Sequence, residues 1–232
     1  MYDISYNGIS GVECGVRVIE RPSIPAAIKR VTEIEIPGRD GTLLEGDGTY
    51  EDIEISVKLN YMTQRELWMR AYRDVRRWLL SAGNGELQFS DDLDYFYKVK
   101  HVEVGEGSRA SKCIGVLAPV FLCEPFNYLV SGKYEHDIEE VLYNPYHAAH
   151  PIYKITGEGV CTLTVNGKTM TANVGQNLTI DTELMLVYRE DSVAMNTAVS
   201  GDYQDLYLRS GENEISVSSG FDVKITPNWR CL

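Results

Sequence analysis

At 232 residues the chain is long enough for one large or two small domains, and either can bury a hydrophobic core. It has 22 Lys and Arg against 34 Asp and Glu, a formal net charge of −12. This charge argues against a nucleic-acid-binding surface built on basic patches. No apolar run reaches transmembrane length, and the first residues lack the basic and apolar regions of a signal peptide. We therefore expect no membrane partner, and synthesis and assembly inside a cell.

The cysteines point to neither disulfides nor metal. There are five of them, an odd number, and no two form a Cys-x-x-Cys pair. Because reduced cysteine among apolar neighbours behaves as a small hydrophobe, we expect free core thiols. No metal site or cofactor is predicted. The positions are Cys14, Cys113, Cys123, Cys161 and Cys231.

The stretch Val31 to Tyr61 organises the first half of the chain. Apolar and polar residues alternate before and after a loop rich in glycine and acid, a period typical of half-buried strands. Ile34 and Ile36 mark the first run, and 53–59 the second. The sequence predicts a long β-hairpin with a projecting tip that reaches a partner. The alternative is an ordinary mobile surface loop.

One helix is predicted, from Thr63 to Ala82. Thr63 and Glu66 have the spacing of a capping box, and Gly83 provides a C-terminal stop. Apolar residues recur at spacings of three and four and predict a buried stripe. Five arginines lie largely off that stripe, and we expect a solvated face or an ion-pair surface between subunits. The stripe comprises Leu67, Trp68, Ala71, Tyr72, Val75, Trp78 and Leu79, and the arginines are Arg65, Arg70, Arg73, Arg76 and Arg77.

Further strands are predicted at 86–90, 95–104 and 112–123, and composition shifts near residue 130. We therefore predict two domains, 1–130 and 131–232. In the second domain short strands recur without helix, which favours a β-sandwich or jelly roll. Asn166-Gly167 is the strongest short hairpin signal. The strands are predicted at 151–155, 160–165, 168–172, 177–180, 185–189, 205–209, 214–218 and 222–227.

Nothing in the sequence predicts an enzyme. No nucleophile elbow, Walker A or HExxH pattern occurs. Gly105-Glu106-Gly107 and Gly157-Glu158-Gly159 resemble fragments of phosphate loops. A central acid would repel phosphate and neither opens a predicted helix, so both are interpreted as turns.

Several segments, taken in order, carry a resemblance to a known family. They are IPGRDGTL (36–43), the strand 50–59, the tryptophan-containing helix, LQFSDD (87–92), VFLCEPFNY (120–128), NP (144–145), YKITGEGVCTLTVNG (153–167), LTIDTE (178–183), LRSGENEIS (208–216) and PNWR (227–230). Together they resemble the distal tail protein family of long-tailed, non-contractile bacteriophages.

The resemblance implies a mainly β protein. An N-terminal β-sandwich with one packed helix, related to tail-tube folds, would form a hexameric ring, and a galectin-like β-sandwich would follow. The ring would join the tail tube and tape-measure proteins to the tip and receptor-binding proteins, leaving a channel through which DNA passes unbound. The location implied is the tail tip of the virion, after assembly in the bacterial cytoplasm. The chain is too short for the large C-terminal insertion by which some members grip receptor-binding proteins.

Candidate site residues follow from this interpretation. Ring-interface or lumen candidates are Gly38, Arg39, Asp40, Glu45, Asp47, Arg70, Arg73 and Arg77. The alternatives are a tail-tube subunit or a carbohydrate-binding module, in which Tyr203 and Trp229 would stack on host wall saccharides. Aromatic residues on strands more often pack in the core. An enzyme is the last alternative.

Overall fold

The computed structural model describes residues 2–81, 85–190 and 193–232. The chain folds into two compact units, the first Met1–Asn127 with Leu232 and the second Tyr128–Cys231. Both units consist mainly of β-strands, and the described residues contain one α-helix. The predicted mainly β fold with one helix is confirmed.

The first unit contains two sheets and a separate hairpin. One sheet has the order β2-β1-β8-β9-β12, with β6 also paired to β12, and the other has the order β10-β11-β7-β3. The hairpin consists of β4 and β5, which form a two-stranded sheet among the described residues. The strands are β1 Ile4–Tyr6, β2 Ile9–Ser10, β3 Val16–Val18, β4 Thr32–Glu35, β5 Thr42–Glu45, β6 Ile53–Ser56, β7 Leu59–Met62, β8 Gly85–Phe89, β9 Asp92–Glu103, β10 Ser108–Arg109, β11 Ile114–Leu117 and β12 Val120–Leu129.

The predicted hairpin pairs differently from the expectation. β4 pairs with β5, which lies inside the predicted loop, whereas β6 pairs with β12 and β7 pairs with β3 and β11. The alternation within 53–59 is correct, because Ile53, Ile55, Val57 and Leu59 are buried. These four side chains belong to the core of the unit and not to a hairpin with residues 33–36.

The helix is shorter than predicted. A 3₁₀ turn, Arg65–Leu67, leads into α1, Trp68–Leu79. No side chain caps either segment, so the predicted capping box does not form. The reason is that the Thr63 N–H donates to the Cys113 carbonyl at 2.9 Å and continues the sheet pairing of β7 with β11. The predicted end at Ala82 and the Gly83 stop lie outside the described residues.

The helix stripe is largely as predicted. Trp68, Val75, Trp78 and Leu79 are buried in the same core as the residues of β6 and β7, and Ala71 and Tyr72 pack on it half-buried. Leu67 is the exception and is exposed.

The second unit is built around one long hairpin. Its main sheet has the order β13-β20-β15-β16-β17, with β18 paired to β16 and β19 paired to β14 and β15. The strands are β13 His136–Asp137, β14 Val141–Asn144, β15 Ile152–Val165, β16 Lys168–Asp181, β17 Leu186–Tyr188, β18 Val199–Ser200, β19 Gly211–Val217, β20 Asp222–Thr226 and β21 Arg230–Cys231.

Asn166 and Gly167 form the predicted turn between β15 and β16. Their φ angles are 50° and 76°, the two left-handed positions that a type I′ turn requires. The Asn166 amide also donates to Asn213 Oδ1 at 2.8 Å, which ties the turn to β19. The strands are longer than predicted because Gly157-Glu158-Gly159 is not a turn. These residues pair in register with Gln176, Gly175 and Val174.

Residues 203–209 also differ from the expectation. Instead of the predicted strand at 205–209, Tyr203–Leu206 forms a 3₁₀ turn, and only Leu208 makes a β-bridge, to Ala149. The Asp202 carboxylate accepts the Gln204 N–H at 3.0 Å and caps the turn. Tyr153, fully buried, donates its hydroxyl to the Leu206 carbonyl at 2.8 Å, and burial raises its pKa.

The five cysteines form no disulfide. Cys123 and Cys161 are buried, and Cys14 and Cys231 are half-buried. Cys113 is exposed, so the expectation of a core thiol is wrong for that residue, which lies in the turn before β11. Within the described ranges no helix has the length and apolar character needed to span a bilayer.

Candidate functional site

The described residues contain no cluster of three or more His, Cys, Asp or Glu that could hold a metal ion. The features that stand out in the first unit are two surfaces. One is a hairpin arm and the other is a row of arginines on α1. Both include residues predicted as interface candidates.

The arm comprises residues 28–51. At its base the Glu51 N–H donates to the Ile28 carbonyl at 2.8 Å, and Lys29 and Tyr50 form a β-bridge. Farther out, β4 and β5 pair from Thr32↔Glu45 to Glu35↔Thr42. Every residue from 28 to 49 is exposed. The arm therefore stands out from the unit as a two-stranded ribbon.

The tip of the arm is closed by a tight turn. The Arg39 N–H donates to the Ile36 carbonyl at 3.1 Å, and Gly38 has a φ of 84°. Proline followed by a left-handed glycine is the pattern of a type II turn, which residues with a Cβ disfavour. Arg39 and Asp40 are exposed at this tip.

A second turn follows β5, at Asp47-Gly48. Asp47 Oδ1 accepts hydrogen bonds from the Thr49 hydroxyl at 2.6 Å and from the Thr49 N–H at 2.9 Å. These bonds favour the ionised carboxylate and lower the pKa of Asp47. Asp47 therefore stays ionised while its hydrogen bonds to Thr49 order the segment that leads back to the base of the arm.

The two faces of the arm differ in chemistry. On one face Ile34 lies opposite Leu43. On the other face Leu44 lies opposite Glu33, with Glu35 two residues farther along the same strand. Leu44 is 60% exposed. By the same register the first face also carries Thr32 and Glu45. The second face presents one leucine beside two carboxylates, and we call it the acidic face.

The outward side of α1 carries the arginine face, which we define as Arg70, Arg73, Arg76 and Arg77. All four are exposed. Arg77 pairs with Asp74 at 3.3 Å, and the guanidinium of Arg76 lies 5.6 Å from the centre of the Tyr72 ring. A shallow depression of about 400 Å³ is lined by Arg73, Arg76, Arg77, Leu80 and Ser81.

The helix is anchored beneath this face by stacked side chains. The Trp68 and Tyr72 rings stack with centroids 5.5 Å apart, and the guanidinium of Arg109 covers Trp68 at 4.4 Å. Gly107 lies directly on Tyr72, since a Cβ there would come within 2.4 Å of the ring. Sequence reasoning missed Arg109 and interpreted Gly107 only as part of a turn, because the β10–β11 pairing that brings this segment to the helix leaves no local pattern.

The predicted site residues therefore fall into two groups in the structure. Gly38, Arg39, Asp40, Glu45 and Asp47 belong to the arm, and Arg70, Arg73 and Arg77 belong to the arginine face. All eight residues are exposed. Among the described residues no ion pair joins the two groups within one chain.

The candidate saccharide-stacking residues lie in the second unit. Tyr203 and Trp229 are half-buried and pack against the core of that unit. A Cβ on Gly132 would come within 2.5 Å of the Trp229 backbone nitrogen, so the chain closes tightly around Trp229. Both aromatic side chains thus have a packing role, and a saccharide contact at either residue stays a prediction.

No family model matches the chain, and no curated protein matches it in sequence. The fold, however, matches a solved structure at a TM-score of 0.67, with 97% of this chain and 98% of the other chain covered and 12% sequence identity. That structure is the Dit protein of SPP1, described as a paradigm of the hub of the adsorption apparatus in phages that infect Gram-positive bacteria. The resemblance to distal tail proteins is therefore confirmed at the level of the fold, along nearly the whole chain.

Proposed function

We propose that this protein is a structural hub subunit at the distal end of a long, non-contractile phage tail, where copies of the chain form a closed hexameric ring. The observation that carries the proposal is the fold match to a phage hub protein, which extends over both units. The absence of a predicted catalytic motif agrees with a purely structural role. The protein then belongs to the tail tip of the virion and is assembled in the bacterial cytoplasm.

In this proposal the two halves of the chain have different roles. Residues 1–130 form the ring, since the exposed arm and the arginine face both lie there. Residues 131–232 form a galectin-like module that points outward. The partners are the tail tube and tape-measure proteins on one side and the tip and receptor-binding proteins on the other. The half-buried packing of Tyr203 and Trp229 favours a structural module over a lectin.

The channel of the ring lets DNA pass without holding it. Each phosphate contact made by Lys or Arg releases counterions and strengthens binding, so a passive channel needs few such contacts. Part of the acidic set of the arm, with Asp40, Glu45 and Asp47 as candidates, faces this channel and makes it net negative. The arginine face points away from the DNA or is paired.

Negative-stain electron microscopy of the purified protein tests the hub. We expect single rings with an axial hole. Stacked tubes would instead identify a tail-tube subunit, and monomers at every concentration would contradict the ring. Light scattering on the same sample measures the subunit count, for which we expect six.

A binding titration with duplex DNA at physiological salt tests the channel. We expect no binding in the micromolar range. Micromolar binding, or a ring map in which arginines and lysines line the hole, would refute the proposed channel.

A further inference from the structure

We propose that the acidic face of the arm docks on the arginine face of a second copy of this chain, with Leu44 seated beside Leu80. The proposal rests on the ring proposed above and specifies which surfaces join its subunits. Both surfaces belong to the first unit and are exposed in the single chain.

The arm needs a covering surface. A two-stranded hairpin alone is at best marginally stable in water, and β4 and β5 pair with no other strand in the described part of the chain. Six large apolar side chains on the arm are also exposed. Exposed apolar side chains grouped on one ribbon mark an interaction surface, and Leu44, at 60% exposed, is the one that the acidic face brings to the contact. The six are Ile28, Val31, Ile34, Ile36, Leu43 and Leu44.

The acidic face offers one apolar side chain beside two negative charges. Leu44 stands opposite Glu33, and Glu35 follows on the same face. In the described part of the chain neither glutamate forms an ion pair. Both carboxylates are thus available to a partner.

The arginine face offers the opposite pattern. Leu80 is 50% exposed and lies in the depression lined by Arg73, Arg76 and Arg77. Arg77 would exchange its ion pair with Asp74, which is exposed, and exposed pairs of this kind contribute little to stability. An apolar centre surrounded by arginines thus faces an apolar centre beside two glutamates.

The spacing of the two glutamates on the arm also matches the spacing of two arginines on the helix. Residues i and i+2 on one strand, such as Glu33 and Glu35, are about 6.6 Å apart. Residues i and i+4 on a helix, such as Arg73 and Arg77, are separated by about 6 Å along the axis. The two carboxylates can therefore meet the two guanidinium groups at once. Carboxylate and guanidinium form the strongest of the common side-chain hydrogen bonds.

The docking is head to tail, because one copy contributes the arm and the next contributes the helix. Such heterologous contacts close into a ring when the rotation between copies allows it. The arm spans roughly 25 Å from Ile28 to Ile36, at the rise of an extended strand, which is enough to reach a neighbour.

Charge reversal on each side separately tests the contact. The arm variant is Glu33→Arg with Glu35→Arg, and the helix variant is Arg73→Glu with Arg77→Glu. Because like charges then face each other, we expect each variant to assemble at least about tenfold more weakly than the wild-type chain. Sedimentation velocity measures the assembly, and circular dichroism checks that each variant is folded.

Mixing the two variants is the decisive step. In an equal mixture each reversed arm meets a reversed helix, and each natural arm meets a natural helix, so copies can alternate around a ring. We expect the mixture to assemble more strongly than either variant alone. The alternation requires an even number of copies, as a hexamer has.

A matched control is available in the second unit. Glu212 and Glu214 are two exposed glutamates with the same i, i+2 spacing on β19. We expect Glu212→Arg with Glu214→Arg to assemble like the wild type. If this control dissociates equally, or if the mixture shows no rescue, the docking proposal is wrong while the ring stands. A wild-type chain that stays monomeric at about 100 µM and low salt would overturn both the docking and the ring.

Discussion

Replacing Trp68 by alanine probes the joint between α1 and the sheets of the first unit. Trp68 is 5% exposed and is the first residue of the helix. Its ring contacts those of Tyr61 and Tyr72, with centroids at 5.9 and 5.5 Å, and is covered by Arg109. Alanine removes all three contacts at once.

The expected loss of unfolding free energy follows from the buried area of Trp68 and from its buried indole N–H. A buried tryptophan removes about 200 Å² from water, which at about 25 cal/mol per Å² is an upper bound of about 5 kcal/mol. Trp68 Nε1 is buried without a hydrogen-bond partner among the described residues, and such an orphan costs about 1–3 kcal/mol. We therefore expect Trp68→Ala to lower the free energy of unfolding by about 3 kcal/mol, at the lower end of core truncations.

Trp68→Phe is the matched comparison. Phenylalanine keeps most of the ring packing and removes the orphan N–H, so we expect a loss below about 1.5 kcal/mol. Urea titration followed by the helical circular dichroism signal measures both variants, because α1 is the only α-helix among the described residues. A loss below about 1 kcal/mol for Trp68→Ala, or equal losses for the two variants, would refute this account of the anchor.

Three further predictions concern buried groups. Burial raises the pKa of Tyr61 to about 12; since an unfolded tyrosine titrates near about 10, stability should fall as pH rises from about 10 to 12. Tyr61→Phe should flatten that slope in urea titrations, and an unchanged slope would contradict the assignment to Tyr61. Among the thiols, exposed Cys113 should react first with a thiol reagent. Cys123 is buried, and burial raises its pKa to about 12, so it should react only after the protein unfolds. Cys113→Ser should abolish the fast phase of the reaction. Gly115→Ala would bring a Cβ within 2.1 Å of the Tyr61 ring, so it should cost at least about 1–3 kcal/mol in thermal or urea unfolding, and a neutral result would mean that the ring can move aside.

The sequence predicts local structure where the signal is local. The Asn166-Gly167 turn requires two left-handed residues and is found where predicted. The helix stripe repeats within one element and is buried as expected, apart from Leu67. Alternation in 53–59 likewise gives the buried side of β6 and β7. Each of these features depends on residues that are neighbours along the chain.

Pairing and capping could not be predicted in the same way. β5 contains adjacent leucines, Leu43 and Leu44, and therefore lacks the alternating pattern by which β6 was recognised. The capping box failed because Thr63 is committed to Cys113, fifty residues away in sequence. Arg109 reaches Trp68 for the same reason, through a strand pairing that no local pattern reports.

The arm and the arginine face illustrate this division at the candidate site. Their charges and turn glycines were evident from residues 38–47 and from the helix spacing. That Leu44 shares a face with Glu33 and Glu35 depends on the register of β4 and β5, which is set by the turn at Pro37-Gly38. Sequence patterns thus identified the surfaces but not which side chains each one presents together.

The strand pairings described above also bear on the order in which the chain folds. β15 and β16 are joined by a two-residue turn, so their pairing closes almost no loop. In the first unit β1 pairs with β8 and β6 pairs with β12, over separations of some 60 to 85 residues. During synthesis the sheet of the first unit cannot be completed until β12 has left the ribosome. We expect pulsed hydrogen exchange on the refolding chain to protect the amides of β15 and β16 before those of β1 and β8, and the reverse order would contradict this expectation.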